Sequence, residues 1–122
     1  MSTFNNSLQY INLESQRRNG EAIATPVWFV EHEGALYVRT AANSWKIKRI
    51  RNNPKVRIAP CRGDGKLTGD WVTATASEIS DSAQLANTNQ LLDKKYGLMK
   101  KIFELMAGFR KYTYTTIKIE QA

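Results

Sequence analysis

The fold class this sequence predicts is a mainly β, six-stranded antiparallel β-barrel with one short helix and one longer helical segment near the C-terminus. Three observations predict it. Short runs rich in β-branched and aromatic residues recur with turn residues between them. Only two stretches, 43–52 and 81–107, carry apolar residues at helical spacing. At 122 residues, 42% of them apolar and 24% charged, the chain has material for one core and not for two, so residues 1–122 are expected to form a single domain.

Taken in order, Leu8, Tyr10, Ile11 and Leu13 mark a first strand over 8–16, and the Asn-Gly pair of "RRNG" (17–20) favours a hairpin. Two strands follow, at 21–31 and 35–40, separated by a turn at Gly34. Pro26 cannot donate to a ladder, so its strand lies at an edge, carries a bulge, or faces something other than a neighbouring strand. Residues 43–52 read as a helix with Asn43 or Ser44 as N-cap and Pro54 ending it, Ile47 and Ile50 facing inward, and Lys46 and Arg49 sharing another face. "KVRIAPC" (55–61) and "DWVTATASEI" (70–79) alternate as strands around the glycine-rich "RGDGKLTG". A helical segment with a break near Gly97 and a last strand, "KYTYTTIKIE", complete the count.

Composition excludes several classes. No apolar run approaches the roughly 20 residues that cross a bilayer, and "MSTFNNSLQY" lacks the regions of a signal peptide, so the sequence reads as cytoplasmic with no membrane partner. Cys61 is the only cysteine and His32 the only histidine, and neither has companions at metal-ligand spacing. Cys61 reads as a small buried apolar residue, and Trp71, Tyr112 and Tyr114 as core aromatics. "RGDGKLTG" is not a phosphate-binding Walker loop, since Pro60 occupies the place of the required first glycine and Leu67 follows Lys66. A net charge of +7 favours anionic partners without choosing among cofactor, nucleic acid and lipid.

The run of "RRNG", "ATPVWFV" (24–30), "GALYVRT" (34–40), "SWKIKRIRNNPKVRIAP" (44–60) and "KKYGLMKKIF" (94–103) resembles the split-barrel flavin and deazaflavin oxidoreductases related to pyridoxamine 5'-phosphate oxidase, the PPOX class. The combination is most similar to the branch named for coenzyme F420. The resemblance implies a split barrel, a homodimer, and FMN or coenzyme F420 bound in a cleft at the subunit interface. It implies Lys46 as a phosphate-binding lysine with Thr40, Ser44 and Arg49 as companions, and Thr25, Pro26 and Val27 as contacts to the ring, with Trp28 as an apolar wall. Residues 40–49 independently offer what a phosphate needs: cations, hydroxyls and a helix N-terminus. Solvation of a helix face is the competing account of Lys46 and Arg49, and a protective edge strand that of Pro26. Lys48 and Arg51 face elsewhere, as surface charge or as contacts to an extended anionic tail.

No triad, paired catalytic carboxylates or obvious base stands out, so no catalytic residue is assigned and the cofactor is expected to carry the chemistry. Barrels of this kind bind FMN, F420, FAD, haem or biliverdin, so the fold is implied more narrowly than the ligand. Two other readings remain: a flavin or haem carrier without turnover, and a basic barrel that tracks single-stranded nucleic acid by stacking and phosphate contacts. Against the second, the cations gather on one helix and do not interleave with aromatics along a strand, so no nucleic-acid partner is expected.

Overall fold

The computed structural model describes residues 4–41, 44–106 and 114–121. The described elements are β1 (Tyr10–Gln16), β2 (Ala22–Val27), β3 (Val30–His32), β4 (Ala35–Ala41), α1 (Trp45–Asn52), β5 (Lys55–Cys61), β6 (Val72–Ile79), α2 (Ser82–Met106) and β7 (Tyr114–Gln121). Asn43, one of the two N-cap candidates, and Tyr112 lie outside the described residues, as do the side chains of α2 from Leu98 onward and that of Tyr114.

Seven strands join one antiparallel sheet in the order β2-β1-β5-β6-β7-β4-β3. This corrects the expected six. The run expected as one strand over 21–31 divides at Trp28 and Phe29: its first part pairs with β1 at one edge of the sheet, its second with β4 at the other edge. Periodicity cannot announce such a break, because the residues stay apolar across it and only the pairing partner changes. The two edges are consecutive in the chain, so the sheet curls into a barrel whose seam is spanned by residues 28–29. Pro26 sits in β2, an edge strand, opposite Asn12, where its missing N–H leaves no gap between two ladders.

Alternation along the strands builds the core. Ile11 and Leu13 of β1, Leu36 and Val38 of β4, Val56 and Ile58 of β5, Ala74 and Ala76 of β6, and Ile117 and Ile119 of β7 converge inside with Phe4 and Phe29. Each isoleucine or leucine so buried contributes about 1.5–3 kcal/mol. The turn between β3 and β4 is Glu33-Gly34, with φ of 52° and 82°, the doubly left-handed geometry of a two-residue hairpin; glycine carries its second position without strain.

Helix α1 closes one end of the barrel. Ser44 caps it, its Oγ accepting from the Ile47 N–H, and Ile47 and Ile50 are fully buried, as their spacing predicts. Two side-chain links fix the rest of the helix: Arg51 forks onto Glu78 of β6 at 3.0 and 3.1 Å, and Asn53 Nδ2 donates to Gln16 Oε1 at 3.1 Å. Cys61 is buried, and burial, helped by Asp64, holds its thiol pKa up, so it is inert packing. Trp71 is only partly buried and lies under the Arg57 guanidinium, 4.8 Å from its ring centre, while Arg57 forks onto Glu14 at 2.7 Å. No described helix is long and apolar enough to cross a membrane.

Candidate functional site

A cavity of about 530 Å3 lies between the β1–β2 hairpin and the outer face of α1, lined by Gln16, Arg17, Arg18, Trp45, Lys48, Arg49 and Asn52. The hairpin reaches it because β1 ends beside α1, and residues 17–21 form a loop closed by Arg17 N–H donating to the Glu21 carbonyl at 2.9 Å. The helix reaches it because Trp45, Lys48, Arg49 and Asn52 recur at three- and four-residue spacing on the face away from Ile47 and Ile50.

Arg49 is the hub. Its Nε donates to the Ser15 Oγ at 2.7 Å, and Ser15 is itself 1% exposed, so the guanidinium is held at a fixed height against the end of β1. Burial, then repulsion from Arg17, lowers the Arg49 pKa; burial, then repulsion from Arg49, lowers that of Lys46. Arg49 is thus repelled by one neighbouring cation, Arg17, and itself repels another, Lys46. Among the described residues the only carboxylate paired with any of the lining cations is Glu21, 3.4 Å from Arg17. A cluster of this kind is complementary to an anion, which would relieve the repulsion and accept charge-assisted hydrogen bonds. Trp45 is 72% exposed, and Lys48 Nζ sits 4.4 Å from its ring centre, so an indole stands at the mouth of a basic cavity.

The residues expected from the sequence divide into two groups. Thr40, Ser44, Lys46 and Arg49 come together around the start of α1: Thr40 Oγ1 and Ser44 Oγ are 3.4 Å apart, Lys46 is half buried beside Arg49, and of the four only Arg49 lines the cavity. Thr25, Pro26 and Val27 lie on β2 and Trp28 just beyond it, away from that cavity; Val27 packs on the core, and Trp28 stacks on Tyr96 of α2 with ring centres 4.5 Å apart and planes 9° from parallel. Sequence reasoning did not assign Ser15, Arg17, Arg18 or Trp45 to the site and read Lys48 as surface charge or as a contact to an extended anionic tail. The β1 alternation that buries Ile11 and Leu13 also buries Ser15, a signal that was available for it; the contribution of the hairpin arginines depends on how the loop folds over α1. His32 is removed from this site, its Nε2 lying 3.7 Å from Glu33, and no cluster of metal-ligating side chains occurs among the described residues.

A curled antiparallel sheet whose two edges are consecutive in the chain, with one end closed by a short helix, defines the split-barrel class typified by pyridoxamine 5'-phosphate oxidase-like proteins. Solved structures bear out this assignment of fold. A Listeria innocua protein provisionally named a pyridoxamine 5'-phosphate oxidase superposes with a TM-score of 0.69 at 17% identity, over 94% of this chain and 85% of its own. The haem storage protein HutZ from Vibrio cholerae gives 0.72 at 12% identity, over 99% and 87%. An FAD-binding protein from Mesorhizobium loti gives 0.61 at 15% identity, over 95% and 81%. These are likenesses of fold. No protein-family model matches the sequence, and no curated protein matches it.

Proposed function

We propose that this chain is an oxidoreductase of the split-barrel type that binds a phosphorylated flavin or deazaflavin, FMN or coenzyme F420, and passes hydride between it and a small molecule. The observation that carries the reading is the cavity between hairpin and α1, where Arg17, Arg18, Lys48 and Arg49 meet with a single paired carboxylate and an exposed indole. The donor set fits the group: guanidinium forks and an ammonium for a phosphate, and an aromatic surface for a planar ligand. The flavin-type barrel neighbours support the class of cofactor and leave FMN and F420 open.

The bound ring would supply the hydride chemistry. What the chain supplies is placement. Arg49, fixed by Ser15, and Lys46, half buried beside it, hold the phosphate at the start of α1, while Thr40 and Ser44 offer hydroxyls there. Arg17, Arg18 and Lys48 extend the positive charge outward, which suits a longer anionic tail such as that of F420. The end of β2 presents Thr25, Pro26 and Val27 to the ring, with Trp28 as an apolar wall. Because that segment lies apart from the cavity within one chain, we assign the complete slot to a homodimer in which a second copy closes it. Among the described residues the cavity lining holds no carboxylate, histidine or thiol, and a carrier without turnover would use the same residues; reduction of an acceptor by the loaded protein separates the two.

Native mass spectrometry of the full chain, titrated with FMN, F420 and riboflavin, tests the reading. Two cofactors retained per dimer, with a phosphorylated ligand favoured over riboflavin, is the expected result. Riboflavin binding as tight as that of both FMN and F420, or retention of none of the three, overturns it.

A further inference from the structure

The weakest point of a split barrel is its seam. Here the chain leaves one edge of the sheet at Val27 and joins the other at Val30, so Phe29 lies between two ladders. Its backbone groups are nonetheless bonded, by side chains of α2. The Tyr96 hydroxyl accepts from the Phe29 N–H at 3.0 Å and directs its own proton toward the Gln9 carbonyl at 2.7 Å and the Phe29 carbonyl at 2.9 Å. Lys95 Nζ donates to the same Phe29 carbonyl at 2.9 Å and lies 3.7 Å from the centre of the Phe29 ring. Gln9 immediately precedes β1, the partner of β2, and Phe29 immediately precedes β3, so one hydroxyl bridges the two sides of the seam. Tyr96 is 4% exposed and packs with Val30 and Leu92, and its ring stacks on Trp28. The next residue, Gly97, has φ 35° and ψ −110°, which breaks the helix directly after this contact.

We propose that Lys95 and Tyr96 are positioning residues: α2 latches the barrel seam through the Phe29 backbone and thereby fixes Trp28 and the end of β2, the ring-facing wall of the cofactor slot. The role in cofactor binding rests on the function proposed above; the latch itself rests on the contacts alone. Backbone groups left between two ladders are costly unless something pairs with them, and a buried hydroxyl that both accepts and donates meets that need with one atom. The stacking of Trp28 on the same tyrosine ties an apolar wall of the slot to the latch. The latch acts on the ring end of the slot and not on the phosphate end, so its loss weakens phosphorylated and unphosphorylated flavins alike. The cation cluster around Arg49 acts only on the phosphorylated ones.

The test is Tyr96→Phe in the full chain, which keeps the ring and its stacking and deletes the hydroxyl, with Lys95→Met as a second variant should the first not fold. Amide hydrogen exchange and flavin affinity are read together. The expected result is exchange at Phe29 and Val30 at least about tenfold faster with β5 and β6 amides unchanged, and a loss of about five- to tenfold in affinity for riboflavin and FMN equally, the scale of one hydrogen bond. Unchanged exchange at Phe29 overturns the latch. Faster exchange with unchanged affinity for both flavins, or a loss confined to FMN, overturns the positioning role. A parent chain that binds neither flavin nor F420 overturns the cofactor reading and with it the positioning role, and the exchange data then still decide the latch.

Discussion

Replacing Arg49 by alanine separates the two opposed forces that the structure places on that side chain. The substitution removes the 2.7 Å bond from Nε to the Ser15 hydroxyl, which is 1% exposed and loses its charged partner. A hydrogen bond to a charged group of this kind is worth about 1.5–3 kcal/mol. The same substitution relieves the repulsion that Arg17 exerts on Arg49 and that Arg49 exerts on Lys46, which lowers the proton affinity of Arg49 and of Lys46 respectively. At low salt the two effects partly cancel, and the expected net loss is about 1–2 kcal/mol, or roughly 3–8 °C in Tm for a chain of this size. Salt screens the repulsion and leaves the short hydrogen bond largely intact, since the screening length falls from about 10 Å at 0.1 M to about 3 Å at 1 M. The penalty for Arg49→Ala should therefore grow with salt, toward the full 1.5–3 kcal/mol of the lost bond, about as large as the bond itself. Urea unfolding of both proteins at the two salt concentrations measures it. A penalty that shrinks with salt, or is absent at both, refutes the account of Arg49 as a cation held in place against its neighbours.

Four further expectations follow from the same geometry. Lys46→Ala should weaken FMN or F420 binding by about 1.5–3 kcal/mol, roughly 10- to 150-fold, with the fold retained and riboflavin unaffected, as fluorescence titration would show. Burial lowers the Lys95 pKa to about 8 from 10.5, so the folded state binds fewer protons than the unfolded one across that window and stability should rise with pH there; Lys95→Met removes this limb from a pH series of unfolding curves. Tyr96, raised by burial to about 12 from 10.0, contributes stability that is complete below pH 10 and lost as pH climbs through 12, a limb that Tyr96→Phe abolishes. Ile58 is 0% exposed in the middle of β5, and Ile58→Ala should cost about 2–5 kcal/mol by chemical denaturation while leaving the cation cluster in place.

Much of this molecule was legible from the sequence because local rules wrote it. The Ser44 cap, the Ile47 and Ile50 stripe, the stop at Pro54, the turn at Gly34 and the break at Gly97 each follow from the chemistry of one residue or the spacing of a few, and each appears where that chemistry places it. The β alternation that fills the barrel is of the same kind. What the sequence could not specify is which strand meets which. The apolar run through Val27, Trp28, Phe29 and Val30 shows no break, and only the assignment of its halves to opposite edges of the sheet makes Phe29 a seam residue and yields seven strands. The same non-local pairing brings Tyr96 against Phe29, 67 positions away in sequence, and Arg49 against Ser15, 34 away. Lys46 and Arg49 share a helix face by spacing alone, so their partnership was visible in advance. That Arg17, Arg18 and Lys48 join Arg49 around one cavity, while Thr25 to Trp28 do not, was decided by tertiary structure, because it depends on the hairpin folding over α1 and on β2 running to the far edge of the sheet.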